Sequence, residues 1–329
     1  MFSVKEVDYS EWEEYFQLSK NNNILQTWQY GEAKKASSNW SIIRFLIFND
    51  NGEAIALAQF MTRAFPIFGG LARMNRGPIL LGVKREVDHE PLVIKIISTL
   101  MKEFKKRKWR LVLIAPEILD SSNSKKSLKK LGLYKLGKPN YASGLIDLKV
   151  NDNDILMSFK KKWRYYLRKS LSNNLKISFT SDVNTELNLL LHKYKELQNK
   201  NSFTGIPESL VSSLSSQTHK DWSFNLFIAK EDSSLSIDEC LGMLVFIKHG
   251  DTATYLIGLT ENKGKELNVN YSLLWHAILH AKELDCDWFD IGGLDKTTPK
   301  GIAHFKKGLN SNLYSLVGEW AYLSIPFFH

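Results

Sequence analysis

One order of elements is written twice along this chain, and that repetition limits the fold more than any single residue does. In the first half, apolar periodicity predicts helices near residues 10–16 and 28–36, the first opened by a Ser10/Glu13 capping box. Strands at 42–48 and 54–61 flank Asn49-Asp50-Asn51-Gly52, a hairpin turn, and an extended segment lies at 77–81. A helix at 90–106, a strand at 110–114, a Lys-rich helix at 122–131 and a strand at 145–148 complete this half. The second half has helices at 154–172 and 184–199, then strands at 222–229, 240–248 and 252–258. A helix at 266–284, a strand at 288–291, a short helix after Thr298-Pro299 and a strand at 313–320 follow. Each half reads as meander, helix, strand, helix, strand, which predicts an α/β (α+β) chain of two similar lobes, residues 1–150 and 151–329. The turn-rich Asn151-Asp152-Asn153-Asp154 at the boundary is too short for a flexible linker.

Composition adds a partner class. The 329 residues carry 44 Lys+Arg against 35 Asp+Glu, a net charge of +9, which favours an anionic ligand such as phosphate or nucleic acid. Two cysteines, Cys240 and Cys286, cannot build a disulfide framework or a thiolate metal site, and a reducing cytoplasm is expected. No apolar run reaches the ~18 residues needed to span a bilayer, so any membrane contact is expected to be peripheral.

The charge is concentrated. Lys160 to Lys169 holds six basic residues in ten, and no acid lies between Asp154 and Asp182. On a helix, Lys160, Arg164 and Arg168 form one cationic stripe, while Phe159, Trp163 and Leu167 take the buried side. Like charges at that spacing repel. The stripe therefore reads as a surface for a bound phosphate or nucleic acid, with a solvated face as the plain alternative.

Doubled strand–helix order of this kind suggests GNAT-like acyltransferase lobes. CoA-using members place a glycine pair after the central strand to hold pyrophosphate at a helix N-terminus. Residues 258–267 here, Gly-Leu-Thr-Glu-Asn-Lys-Gly-Lys-Glu-Leu, lack that pair, which counts against CoA. His276 and His280 share a helix face, but without Glu at 277 or a third ligand they specify no metal. No cofactor is expected.

A series of further signposts is more specific in combination. They are Gln26-Thr27-Trp28 with Lys34, Arg76-Gly77-Pro78, Leu145 to Leu148 leading into Lys162 to Arg168, Tyr255 with Gly258, Phe289 to Gly293, and Gly301-Ile302 with Phe305-Lys306. In this order the chain resembles the FemABX peptidyltransferases from about Leu25 to Trp320, and lacks the coiled-coil arm of the larger members. The resemblance implies two tandem GNAT-like lobes, each a mixed twisted sheet flanked by helices, in a cytoplasmic enzyme of peptidoglycan biosynthesis. Such an enzyme moves an amino acid from aminoacyl-tRNA to an amine of a muropeptide precursor, lipid-linked or nucleotide-linked, with peripheral contact at the inner membrane face. The first lobe would bind the precursor and the second would contact tRNA and transfer the amino acid.

The resemblance also implies that Lys34, Arg76, Tyr255 and a basic residue before the Asn-Ser-Phe at 201–203 contact the precursor. Lys200 stands at that last place where the family pattern has Arg, a point charge in place of a bidentate fork. Lys306 is the expected cation for the developing oxyanion. Asp290, at a strand end before Gly292-Gly293, is expected either to orient or deprotonate the attacking ammonium or to cap a turn. An N-acyltransferase with a CoA or carrier-protein donor and a catalytically silent RNA- or glycan-binding protein are the alternative functions.

Overall fold

The computed structural model describes residues 2–324 apart from 21, 66–68, 84–88, 108, 182, 184–185, 202 and 233–235. The chain forms two compact units, Met1–Ala142 with Asp295–Thr297 and Tyr314–His329, and Ser143–Leu294 with Thr298–Leu313.

The first unit holds strands Ser3–Glu6 (β1), Ser41–Phe48 (β2), Ala54–Phe65 (β3), Gly69–Asn75 (β4), Ile79–Leu80 (β5), Trp109–Ala115 (β6) and Tyr134–Lys135 (β7). Its helices are Tyr9–Phe16 (α1), Trp28–Ser37 (α2), Glu90–Lys106 (α3) and Ser122–Lys130 (α4). Helix α3 matches its expected bounds because Val93, Ile96, Ile97, Leu100, Met101 and Phe104 make one apolar stripe and a proline opens it. That stripe packs on Phe45, Phe60, Val112 and Ile114 of the sheet. Helix α1 begins earlier than the Ser10/Glu13 box implied: Asp8 is its N-cap and accepts from the Glu11 amide. Strands β3 and β4 are antiparallel, and β4 runs parallel to β6 from Gly70/Trp109 to Asn75/Ala115.

The second unit holds strands Ala142–Asp147 (β8), Lys176–Thr180 (β9), Trp222–Lys230 (β10), Gly242–His249 (β11), Thr252–Thr260 (β12), Trp288–Asp290 (β13) and Asn312–Ser315 (β14). They are ordered β14-β8-β13-β12-β11-β10-β9. Its helices are Asp152–Ser158 (α5), Lys161–Leu171 (α6), Glu186–Asn201 (α7), Glu208–Ser215 (α8), Asn262–Glu266 (α9), Val269–Glu283 (α10) and Lys300–Lys307 (α11). Leu273, Leu274, Ala277, Ile278 and Ala281 of α10 pack on Phe227, Leu244, Phe246 and Phe289 of the sheet.

Three segments expected to be continuous are broken, each by a specific contact or backbone angle. The helix at 154–172 divides at Phe159, and the Lys160 amide leaves the helix to donate to the Gly308 carbonyl at 2.9 Å. The helix at 266–284 divides at Asn268, whose φ of +59° is left-handed. The strand at 313–320 divides at Gly318, where φ is +87°. Beyond it the last strand, Trp320–Leu323 (β15), pairs with β6 and β7 of the first sheet.

The division at 150 is corrected in the same way. β8 belongs to the second sheet through its pairing with β13, and residues 314–329 return to the first unit. Both sheets are mixed, twisted surfaces with helices against them, the fold expected for two tandem GNAT-like lobes. The predicted start of α7, residues 184 and 185, lies outside the described residues, as does Ser202 of the Asn-Ser-Phe motif.

Candidate active site

In the second sheet β12 and β13 are parallel for three residues, Thr252–Thr254 against Trp288–Asp290. Beyond them the pairing ends. Across β11, Val245 faces Ile257 and Phe246 faces Tyr255, so Leu256 is an extra residue and β12 carries a bulge there. A bulge increases local twist and re-aims side chains. Bulge and early end of pairing together open a wedge lined by Tyr255, Gly258 and the chain after Asp290. In the first unit the corresponding parallel pair, β4 with β6, has a register shift between Gly70 and Leu71 and then stays matched through Asn75/Ala115.

Two glycines fit this wedge closely. A Cβ at Gly258 would lie 1.8 Å from the Tyr255 hydroxyl, so only glycine lets the phenol lie along that part of the strand. At Gly292, with φ of +72°, a Cβ would meet the Tyr255 carbonyl at 2.8 Å and the Lys306 Nζ at 3.3 Å. Asp290 organises this corner. Its carboxylate accepts from the Gly292 amide at 2.9 Å and from the Ser143 hydroxyl. It is 3 % exposed, and of the two roles expected for it the geometry displays the turn-capping one.

Lys306 enters from α11. The residue is 6 % exposed, and its ammonium donates to the Gly293 carbonyl at 3.3 Å and stands 4.7 Å from the centre of the Tyr255 ring. It makes no ion pair among the described residues. Burial lowers its pKa to about 8, against a smaller upward pull from Asp290. The next residue, Lys307, is exposed. Burial also raises the Tyr255 phenol, with Tyr194 adding to the effect. The Tyr255 hydroxyl makes no hydrogen bond among the described residues and is available to a ligand. Tyr194 was not singled out in the sequence; its hydroxyl accepts from the Ile206 amide at 3.0 Å, and only glycine fits beside it at Gly205.

The cationic helix belongs to the same unit. Trp163, Leu167 and Ser170 of α6 are buried, and the Ser170 hydroxyl donates to that of Ser272 on α10 at 2.9 Å. Lys160 is the N-cap rather than a helical residue. Lys160 and Arg168 are exposed and Arg164 is partly so, its guanidinium against the Met157 sulfur. None of the six basic residues from 160 to 169 makes an ion pair among the described residues. Lys200, near the end of α7, is exposed and likewise without one.

In the first unit, Lys34 is half-buried on α2. Burial lowers its pKa, and Arg73 and Arg63 lower it further. Tyr30, one turn earlier, is pushed up to about 12 by burial. Lys34 has no acidic partner among the described residues, so this corner favours an anion.

Arg76 is different from what was expected. It is 5 % exposed, and its guanidinium binds both Glu117 oxygens at 2.7 Å, donates to the Tyr314 hydroxyl at 2.9 Å and lies over Tyr141. Its own amide donates to Ala115 and its carbonyl accepts from Asn23. With its fork occupied by a carboxylate, Arg76 clamps a loop and is not a free phosphate ligand. Cys286 is also spent on structure: burial pushes its thiol up to about 12, and it packs in the core of the second unit.

The FemAB family model matches residues 208–328, which hold Tyr255, Asp290 and Lys306. Among solved structures, FemX matches with a TM-score of 0.76 at 17 % identity, over 98 % of this chain and 97 % of that one. L-PGS from Bacillus licheniformis matches with a TM-score of 0.56 at 13 % identity, over 98 % and 95 %. A tandem GNAT protein from the clavulanic acid biosynthesis pathway matches with a TM-score of 0.55 at 8 % identity, over 100 % of both chains. No curated protein matches the sequence. The fold is that of a tandem GNAT-like acyltransferase. Residues 208–328 match the FemAB family model, and the whole chain shares its fold with FemX.

Proposed function

We propose that this protein transfers an amino acid from aminoacyl-tRNA to an amine on the stem peptide of a peptidoglycan precursor, the step that begins an interpeptide bridge. The observation that carries the proposal is the buried Lys306 ammonium, which makes no ion pair among the described residues and stands in the wedge of the second sheet beside a Tyr255 hydroxyl with no hydrogen-bond partner among them. The FemAB match over this region supports the same reading.

An aminoacyl ester is already activated, so the protein needs no covalent nucleophile. The acceptor amine attacks the ester carbonyl carbon, a tetrahedral oxyanion forms, and the bond to the ribose oxygen breaks. The amine proton leaves with the ribose hydroxyl or to solvent, giving an amide and free tRNA. The chain's contribution is alignment and electrostatic stabilisation. At pH 7 a lysine with a pKa of about 8 is protonated about ten to one, so Lys306 offers a fixed cation to the oxyanion. Low exposure strengthens that interaction. Asp290 holds the Gly292 turn against which Lys306 rests and acts as a positioning residue.

The precursor's phosphates are assigned to Lys34 in the first unit, where Arg63 and Arg73 add positive potential; Lys200, exposed on the second unit, is proposed as a precursor contact of that unit by itself. The tRNA is assigned to Lys160, Arg164 and Arg168. No helix of the described residues is long and apolar enough to cross a membrane; a lipid-linked precursor would be met by peripheral contact with the inner membrane face, in a cytoplasmic protein. The test is incubation of the purified protein with a mixture of charged tRNAs and each precursor form, followed by mass spectrometry of the precursor. A mass increase of one aminoacyl residue is expected. Acylation of an amine from CoA or a carrier protein in place of tRNA would overturn the reading.

A further inference from the structure

The stripe and Lys306 are joined by a feature that phosphate binding does not require. Tyr165 and Tyr166 interrupt the basic run on α6, and their ring centroids are 5.4 Å apart. Tyr166 lies 5.2 Å from Tyr271 of α10, and Tyr271 lies 5.0 Å from Phe305 of α11, the residue before Lys306. Trp163 supports the inner rings from beneath, 5.1 Å from Tyr271 and 6.1 Å from Phe305. Core packing explains the inner end of this ladder. It does not explain the outer end, where Tyr165 is 55 % exposed and Tyr166 is only partly covered. Neither hydroxyl makes a hydrogen bond among the described residues. The Lys162 ammonium stands 6.0 Å from the Tyr166 ring, and Arg164 lies one residue away. Exposed aromatic rings among unpaired cations are the arrangement that binds single-stranded nucleic acid, with bases on the rings and phosphates on the charges.

We propose that Tyr165 and Tyr166 are a stacking platform for the unpaired nucleotides at the 3′ end of the donor tRNA. Bases settle on the outer rings while the stripe holds the phosphates of the acceptor stem, and the ladder leads the esterified ribose toward Lys306. The inference rests on the aminoacyl-tRNA reading above and adds to it which side chains recognise the single-stranded end. Stacking accepts any base, so the platform would fix the position of the ester without choosing among tRNAs.

The experiment compares two uncharged RNA hairpins by fluorescence anisotropy: an acceptor-stem hairpin with a four-nucleotide single-stranded 3′ end, and the same hairpin ending flush. The wild type is expected to bind the overhanging hairpin about 5- to 150-fold more tightly, the range for one stacked base. Tyr165→Ala and Tyr166→Ala should remove most of that difference while leaving the flush hairpin unchanged, and the Phe variants should retain it. Tyr165 is exposed, so its Ala variant keeps the test valid even if Tyr166→Ala fails to fold. The Lys160/Arg164/Arg168 triple Ala variant should weaken both hairpins alike. Equal affinity for the two hairpins in the wild type, or tyrosine variants that weaken both equally, would overturn the platform. Transfer from charged tRNA could persist in that case and would keep the functional reading intact. No binding of either hairpin, with no transfer, would remove both.

Discussion

Replacing Lys306 by Met should make the protein more stable, because its ammonium is held where water would normally solvate it. Its pKa is about 8 in the fold against an ordinary 10.5, a difference of about 2.5 that corresponds to roughly 3 kcal/mol. The sign follows from proton counting. Between the two values the unfolded chain binds more protons than the folded one, so stability rises with pH across that window. The cost is fully present below pH 8 and fades toward 10.5. Methionine fills a similar volume without charge and loses the hydrogen bond to Gly293, worth about 1 kcal/mol, and the ammonium's contact with the Tyr255 ring, worth about 0.5 kcal/mol. The net gain near pH 7 is about 1.5 kcal/mol, or about 3 to 6 °C in Tm for a unit of this size. At pH 10 the wild-type cost falls below about 1 kcal/mol and the variant's advantage should largely vanish. Thermal unfolding followed by circular dichroism at pH 7 and pH 10 measures both values. A Met variant that melts below the wild type at pH 7, or a difference unchanged between the two pH values, would refute the reasoning.

Other outcomes follow from the placement of the remaining residues. Lys34→Ala should raise KM for the precursor with little change in kcat, as expected for lost uniform binding, and steady-state kinetics with varied precursor would show it. Each cation removed from Lys160, Arg164 and Arg168 should flatten the log–log salt dependence of tRNA binding by roughly 0.7 to 0.9, read from titrations at several salt concentrations. Arg76→Ala should destabilise the first unit by about 3 kcal/mol by leaving Glu117 unpaired, measurable as a lower denaturation midpoint.

Long amphipathic stretches were legible in the sequence, since burial of one face writes a period into the residues. Helix α3 is of this kind, whereas β10 and β11 are legible as continuous apolar runs because they are buried along almost their whole length. What was missed depends on partners distant in sequence. β9 is a short edge strand with three exposed residues and no strict alternation, and β4 begins with two glycines. The break before α6 exists because Gly308, some 150 residues later, accepts the Lys160 amide. The return of β15 to the first sheet was likewise unreadable, because a run of apolar residues carries no address.

The site divides along the same line. Phe305-Lys306, Tyr255 with Gly258 and Asp290 with Gly292 were found as motifs, and the wedge brings them together. Arg76 was misplaced because an arginine beside a Gly-Pro turn gives no sign of whether its charge faces a ligand or an internal acid; Glu117 decides the matter. Tyr194 escaped notice because its signal, a glycine eleven residues later, has meaning only once the loop closes over the phenol.

The central claim is that a buried lysine on the second unit stabilises the oxyanion of aminoacyl transfer. Single-turnover transfer from a labelled aminoacyl-tRNA to saturating precursor, compared among wild type, Lys306→Met and Lys307→Met, tests it most directly. The expected result is a loss on the order of 10² to 10³ in the transfer rate for Lys306→Met with both substrates still bound, and a rate near wild type for Lys307→Met. Equal rates for the two variants, or a Lys306→Met protein that keeps more than about a tenth of the wild-type rate, would contradict the account.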